Sequence, residues 1–575
     1  MSHPPKISNT NKPTQTELAT LTQKGIALHQ QGNFAEAQVI YEQILVIQPD
    51  HFDALQLLGV LFAQVKKYPQ AVEFLSKALE INPNHAGANN NKGNALKELK
   101  RFDEALASYD QAIVIDSNHV GAQSNRGIVL KELKQFDEAL ASYDQAIKIN
   151  PDYVDAYINR GNLLRDLKQF DEALASYDQA IKINPNHAVA YSNRGNSLRD
   201  LKRFEEALAS YDKAIFLNPN HAGTFCNRGI VLQGLQRVDE ALASYDRAIE
   251  IDPDLITAHY NLSLFNLMKG NFKAGWQGYE WRWLDKDFDS EPLKSAKPVW
   301  DFKKTNQCLL VWAEQGVGDQ VCFGSLLSEL LEDVPNLLVQ IDKRLIPIFT
   351  RSLPKIKFYP DSLILPESDY DIHVPIGSLG KYLRNNEKDF LLRKNKFFIS
   401  DEIKTQTIRQ ELPASKKLIC GVSWKSSAGA TGVNRSLSLE KLAAIFDPDK
   451  ISLVNLQYGD VSKEIDLLKT NIELIQYKSI DNFDDLDGVA CLIDACDFIV
   501  SVDNSIIHLS SALGKKTFIL LSYIPEWRIL FNRDDSPWYP SAKLYRQERL
   551  GDWDVPLEKL KTDLLNLTTL VSQTE

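Results

Sequence analysis

An α-solenoid of paired helices, followed by an α/β region of two parallel-sheet lobes, is the fold the sequence predicts, and three observations carry it. Residues 18–283 repeat themselves with a fixed period of 34 residues. From residue 307, short apolar runs alternate with helical segments, the pattern of strand–helix–strand units. Between the two, residues 284–306 (LDKDFDSEPLKSAKPVWDFKKTN) are charged and proline-punctuated without a period, as a linker is.

The period is read from Phe34, Tyr68, Phe102, Phe136, Phe170, Phe204, Val238 and Phe272, each 34 residues from the next, with a small residue, Ala37 through Ala241 and finally Gly275, three positions later. A glycine recurs on the first helix of each unit (Gly25, Gly59, Gly93, Gly127, Gly161, Gly195, Gly229) and a tyrosine on most second helices. Prolines such as Pro49, Pro83 and Pro151 close the units, because proline cannot continue a helical hydrogen-bond ladder. Small residues let the two helices of a unit approach, and the aromatics are expected to fill the gap to the next unit. With eight units in register, this half resembles the tetratricopeptide repeat.

Two residues before the glycine stand Asn91, Asn125, Asn159, Asn193, Asn227 and Asn261, while the first two units have Gln23 and Leu57. A row of amides, each with one acceptor and two donors, suits the backbone of an extended peptide; alternatively it solvates the groove or bonds to the neighbouring unit's backbone. The repeats look most like those of protein O-GlcNAc transferases, and that resemblance implies an asparagine ladder holding polypeptide. Arg126, Arg160, Arg194 and Arg228 follow the ladder and are expected to solvate it.

With 65 basic against 76 acidic residues, the net charge of −11 argues against general attraction to nucleic acid or anionic lipid. No apolar run approaches a membrane span, so none is expected. The six cysteines lack metal-ligand or disulfide spacing and fit a reducing cytoplasm. Residues 1–17 are polar without an apolar core and are expected to be a disordered tail, not a secretory signal.

The last unit ends in GWQGYEWRW, and Trp276, Trp281 and Trp283 are too much aromatic surface to leave wet. They are expected to dock the repeats on the following domain, with sugar stacking as the alternative. Beyond residue 307, Cys308–Trp312, Leu337–Ile341, Ile356–Tyr359 and Tyr370–Val374 read as one sheet in a lobe over 307–400. Leu418–Trp424, Ile451–Gln457, Ile472–Ile475, Phe498–Val502 and Thr517–Leu521 read as a second sheet in a lobe over 401–575 with a C-terminal helix. Two Rossmann-like lobes form the GT-B arrangement, with ligands expected at the carboxyl ends of the strands.

Three loops fall at that place. LLVWAEQGVGDQVCF sets Gly316, Gly318 and Asp319 between strand and helix, where Asp319 is either a helix cap or a functional carboxylate. Lys425, Ser426, Ser427, Asn434 and Arg435 follow the strand ICGVSW, and cations with hydroxyls at a strand end suit a diphosphate. DFIVSVDNSIIHLSSALG is a strand, a turn at Asp503, Asn504 and Ser505, and a helix with His508, whose start offers backbone N–H groups to a phosphate. The first and third loops resemble glycosyltransferase family nine, the bacterial ADP-heptose lipopolysaccharide heptosyltransferases. Gly318 and Asp319 match the family's Gly-Asp, and Asp503, His508 and Leu509 match its D-x-G-x-x-H-L segment, with Ser505 in place of the glycine. The resemblance implies that Asp319 is the base and that the 503–509 segment binds a nucleotide sugar. The whole layout also resembles bacterial repeat-containing glycosyltransferases that modify proteins such as flagellin.

The expected function is therefore an inverting, metal-independent glycosyltransferase with a nucleotide-sugar donor, no separate cofactor, and a polypeptide acceptor in the repeat groove. The acceptor class includes flagellin or another surface protein. Glu314 is the alternative base. Asp369 and Asp371 form a D-x-D, but they enter a strand instead of leaving one, and metal binding is not expected. Asp534, Asp535, Trp538 and Tyr539 are expected either to line the sugar pocket or to pack on the C-terminal helix. Rival readings are a non-catalytic scaffold with a degenerate transferase domain, and a glycan or lipid transferase whose repeats recruit proteins.

Overall fold

The structure, a computed structural model, describes residues 14–391, 396–413, 417–426, 429–468, 471–524, 526–531 and 533–574. The chain divides into two compact units between Gln236 and Arg237. The division thus falls inside the seventh repeat and not at residue 283, where the repeat pattern ends.

The first helix, Gln15–Gln30, begins inside the stretch read as a tail, because Thr14 and Glu17 form a capping box. Residues 1–13 of that tail lie outside the described residues. Second helices begin on the periodic residue, as in Phe102–Ile115, Phe136–Ile149 and Phe170–Ile183. The alanine three positions on is fully buried in every one of them. The tyrosines serve both sides: Tyr109, Tyr143, Tyr177 and Tyr211 lie on the glycine of their own unit, and Tyr109 and Tyr143 also pack with Val129 and Leu163 of the next unit. A Cβ added at Gly93, Gly127, Gly161 or Gly195 would stand 2.5–2.6 Å from the ring.

Three further periodic features hold the array. The turn between the helices of a unit passes through the left-handed region at Gly32, Lys66, Lys100, Lys134, Lys168, Lys202, Gln236 and Gly270, with φ between 57° and 84°. First helices are capped by His51, His85, His119, His187 and His221, whose Nδ1 accepts a backbone N–H three residues on at 3.0–3.3 Å. The arginines do more than solvate the ladder. Arg126, Arg160 and Arg194 donate through Nε to Asp110, Asp144 and Asp178 of the preceding unit at 2.7 Å. Through Nη1 they donate to Ser142, Ser176 and Ser210 of their own unit at 2.7–2.8 Å, clamping adjacent units.

In the second unit, strands β1 (Leu309–Trp312), β2 (Leu337–Ile341), β3 (Lys357–Pro360) and β4 (Ile372–Pro375) form a parallel sheet ordered β3-β2-β1-β4. Strands β5 (Leu418–Ser423), β6 (Ile451–Asn455), β7 (Leu474–Ile475), β8 (Phe498–Val502), β9 (Thr517–Leu521) and β10 (Ala542–Arg546) form a second, ordered β10-β9-β8-β5-β6-β7 and also parallel. The central strands are buried along their length, as strands covered on both faces are. The edge strand β10 escapes the sequence reading because AKLYR breaks its apolar residues with Lys543 and Arg546 instead of forming an apolar run.

The last repeat is part of this α/β body. Leu267, Met268, Phe272, Trp276 and Tyr279 share one core with strands of both sheets. Trp276 is fully buried and its Nε1 donates to the Arg384 carbonyl at 2.7 Å, while Trp283 packs on Trp312 of β1. Trp281 does not dock on the following domain, since it stacks face to face on His259 of its own repeat at 3.9 Å. Among the described residues, no helix is long and apolar enough to cross a membrane.

Candidate functional site

In the second sheet the strand order, renumbered from β5, is 3-2-1-4-5-6, so the winding reverses between β5 and β8, where doubly wound sheets open a crevice at their carboxyl ends. β1 of the first sheet delivers its own exit loop to the same place. A cavity of about 260 Å³ results, lined by Gly318 and Asp319 after β1, Ser426 and Arg435 after β5, and Asp503, Asn504, Ser505 and His508 after β8. A second cavity of about 420 Å³, beyond β6, shares Asn482 and Phe483 with it.

Asn504 fixes the reversal. Its Oδ1 accepts the Ile506 amide and caps the helix Ser505–Ala512, and its Nδ2 donates to Ser423 Oγ at 2.8 Å and the Lys425 carbonyl at 2.9 Å. Its amide thus joins the ends of β5 and β8 while the residue also lines the cavity. His508 is buried behind the helix start, with Nδ1 2.7 Å from the Tyr539 hydroxyl. Its ring lies against Gly318, where a Cβ would come within 2.8 Å of Cδ2, so the glycine allows the two helix starts to meet. Tyr539 backs the histidine and Trp538 packs on Trp527, so this pair neither lines the cavity nor covers the C-terminal helix.

Asp319 is not the helix cap. Gly316 holds that position in the helix Val317–Gly324, with no side-chain cap, and Asp319 sits in the first turn paired with Arg528. Glu526 joins two guanidinium groups: its Oε2 lies 2.5 Å from Arg528 Nη1 and its Oε1 lies 2.8 Å from Arg435 Nη1. Arg435 also stands 3.7 Å from Asp503 Oδ2. A chain Asp319–Arg528–Glu526–Arg435–Asp503 therefore runs along the cavity wall. Asp503 is 3 % exposed, and burial first, then Glu526, push its carboxyl up to about 7 against the opposing pull of Arg435 and Arg546. Burial also lowers Arg528 from the ordinary arginine range.

Lys425 lies off the cavity lining. Gln457 Oε1 accepts the Trp424 and Lys425 amides at 2.9 and 2.8 Å, and the lysine ammonium turns outward to Glu464. Ser427 lies outside the described residues. Glu314 is fully enclosed: Arg282 donates to its two oxygens at 2.7 and 3.0 Å and the Gly377 amide donates at 2.7 Å, which removes it as an alternative base. Asp371 accepts the Cys308 amide at 2.8 Å, and among the described residues no cluster of three or more His, Cys, Asp or Glu is placed to hold a metal ion. Sequence reasoning missed Glu526, Arg528, Arg344, Tyr458 and Phe483, all in the cavity wall. The signal for the first two was their place after β9, at the carboxyl end of a parallel strand.

The asparagine row uses its amides between repeats. Asn125 donates to Asn90 at 3.0 Å, Asn159 to Ser124 at 3.5 Å, Asn193 to Asn162 at 2.9 Å and Asn227 to Asn196 at 3.0 Å. Each partner belongs to the preceding repeat. These bonds follow the alternative in which the row binds the neighbouring unit, through side chains instead of backbone.

Family models described as tetratricopeptide repeat match residues 16–84, 74–107, 154–187 and 188–221, and one described as TPR repeat matches 93–134, 129–164 and 234–270. The helical half is accordingly a tetratricopeptide-repeat solenoid. Over 335 residues the chain is 27% identical to protein FlbA of Caulobacter vibrioides, a match covering 54% of this chain and 55% of FlbA. The chain thus spans about half the length of that curated relative. Among solved structures, YrrB, a TPR protein with an unusual peptide-binding site, is 28% identical, with a TM-score of 0.28 and coverage of 32% of this chain and 96% of YrrB. PilF of Pseudomonas aeruginosa is 22% identical, with a TM-score of 0.32 and coverage of 35% and 92%.

Proposed function

We propose that residues 237–575 house a glycosyltransferase that moves a sugar from a nucleotide-sugar donor to a polypeptide acceptor recruited by the repeats, with inversion and without a metal ion. The observation that supports the reading is the convergence of three loops, each after a parallel strand and two with heptosyltransferase-like motifs, on one cavity at a winding reversal. In this reading the acceptor hydroxyl gives its proton to Asp319 as its oxygen attacks the anomeric carbon. The bond to the diphosphate breaks on the opposite face, and the leaving charge is met by Arg435 and the start of the helix at Ser505. The adjoining cavity of about 420 Å³ offers room for the rest of the donor.

The test is a panel of nucleotide sugars with peptide acceptors, read by mass spectrometry for nucleotide release and acceptor mass gain. At least one donor is expected to be consumed, and Asp319→Asn is expected to lower the rate about 10²- to 10⁴-fold with the fold retained, since Gly316 is the cap. Release with no donor, or transfer by Asp319→Asn within a few-fold of the parent, refutes the reading. One observation favours the rival in which the repeats only recruit proteins for a glycan or lipid transferase: the ladder's donors are bonded to neighbouring repeats.

A further inference from the structure

We infer that Arg528 is a diphosphate-binding residue held in reserve by Asp319, so that donor binding itself frees the proposed base. This inference rests on the diphosphate reading of the cavity. Arg528 lies at the cavity wall 6 % exposed, against Trp527 and Phe323, with its guanidinium 4.5 and 5.6 Å from their ring centroids. Among the described residues its buried Nε has no hydrogen-bond partner, and neither does Asp503 Oδ2 across the network. A guanidinium is a planar fork of five donors, and one left unsatisfied in a buried site marks a position where an acceptor belongs.

The remaining donors show how the site is set. Arg528 and Arg435 are held side by side by the two oxygens of one carboxylate, Glu526, a spacing that presents two forks to neighbouring phosphate oxygens. Arg344, also in the wall, is bonded to Asp342 at 2.7 Å. Every guanidinium named here is matched to a carboxylate, so a diphosphate enters by exchange. Asp319 and Glu526 are equally reachable, their side chains 22 % and 24 % exposed, and the partner open to exchange is Asp319 because it holds Arg528 alone, whereas Glu526 bridges both arginines. When a diphosphate takes the Arg528 fork, Asp319 is released beside the start of its own helix. The carboxylate is then available to an acceptor hydroxyl only when the leaving group is in place.

The competition sets the test. Binding of inorganic pyrophosphate to the full chain is measured by calorimetry for the parent, Asp319→Asn, Arg528→Gln and Arg435→Gln, with circular dichroism confirming each fold. Removing a charge-assisted contact weakens binding about 10- to 100-fold in Arg528→Gln. Removing the competing carboxylate tightens it about 3- to 10-fold in Asp319→Asn, which decides the matter even if Arg528→Gln does not fold. Pyrophosphate bound equally by the parent, Asp319→Asn and Arg528→Gln, but more weakly by Arg435→Gln, overturns the inference and leaves the diphosphate reading standing. No binding by the parent overturns both.

Discussion

The packing of the last repeat into the α/β body makes a prediction that differs from the one the sequence pattern suggests. A cut at residue 283, where the repeats end, is expected to leave residues 284–575 unable to fold, while residues 237–575 fold on their own. Removing 237–283 strips Phe272, Trp276 and Tyr279, none more than 2 % exposed, from a core they share with both sheets. Aromatic truncations in cores cost about 3–5 kcal/mol each, so the three come to about 9–15 kcal/mol. Part of their contact is made within the deleted segment, and counting half leaves about 5–7 kcal/mol. Arg282 goes as well, leaving Glu314 buried without its cation, a further cost of about 3–5 kcal/mol. The sum of about 8–12 kcal/mol consumes most or all of a domain's usual stability of about 5–15 kcal/mol. The assay compares the two fragments by size-exclusion chromatography, near-ultraviolet circular dichroism and urea unfolding. A monodisperse 284–575 fragment with a parent-like near-ultraviolet spectrum and a cooperative transition refutes the reasoning.

Three other outcomes are expected. Replacing Lys100, Lys134 and Lys168 by glycine relieves left-handed strain and, after the entropy glycine adds to the unfolded chain, stabilises the repeats by about 0.5–1 kcal/mol per site, read as a higher urea midpoint. The triple change of Asn159, Asn193 and Asn227 to alanine removes inter-repeat bonds and is expected to cost about 1 kcal/mol per residue, whereas an unchanged melting temperature supports a purely ligand-facing row. Asp503, raised from 3.8 to about 7, holds its proton in the folded state where the unfolded chain has lost it. Its contribution to stability therefore falls as pH rises between those values and levels off above, so the advantage of Asp503→Asn over the parent grows from about pH 4 to 7. A difference that does not change over that range contradicts the assignment.

What the sequence makes legible is whatever local pattern controls. The 34-residue period places second helices on their first residue, because aromatic, alanine and closing proline all act within one unit. Apart from β10, the strands of both sheets are legible as apolar runs, and three loops at strand ends find one cavity because parallel sheets put their exits on one edge. Roles within those loops are less legible, since they depend on partners distant in sequence. That Asn504 ties β5 to β8 shows only when Ser423 and the Lys425 carbonyl stand beside it. Lys425 looks like a cavity cation until Gln457 fixes its backbone and Glu464 takes its ammonium.

The asparagine row and the charged cavity share one physical feature, which bears on how either can bind. In both, the residue types suited to a ligand are present, and the fold already supplies many of their polar atoms with partners. An amide that leaves Asn162 for a peptide carbonyl, or a guanidinium that leaves Asp319 for a phosphate, gains only the difference between two hydrogen-bonded states. Affinity at such a site is modest per contact, and selectivity follows from what outcompetes the internal partner. A doubly charged diphosphate outcompetes a single carboxylate at a two-guanidinium wall, whereas a lone carboxylate or neutral sugar hydroxyl does not. At the proposed donor site Asp319 would thereby act as a filter, raising the charge an incoming group must carry before it displaces the carboxylate from Arg528.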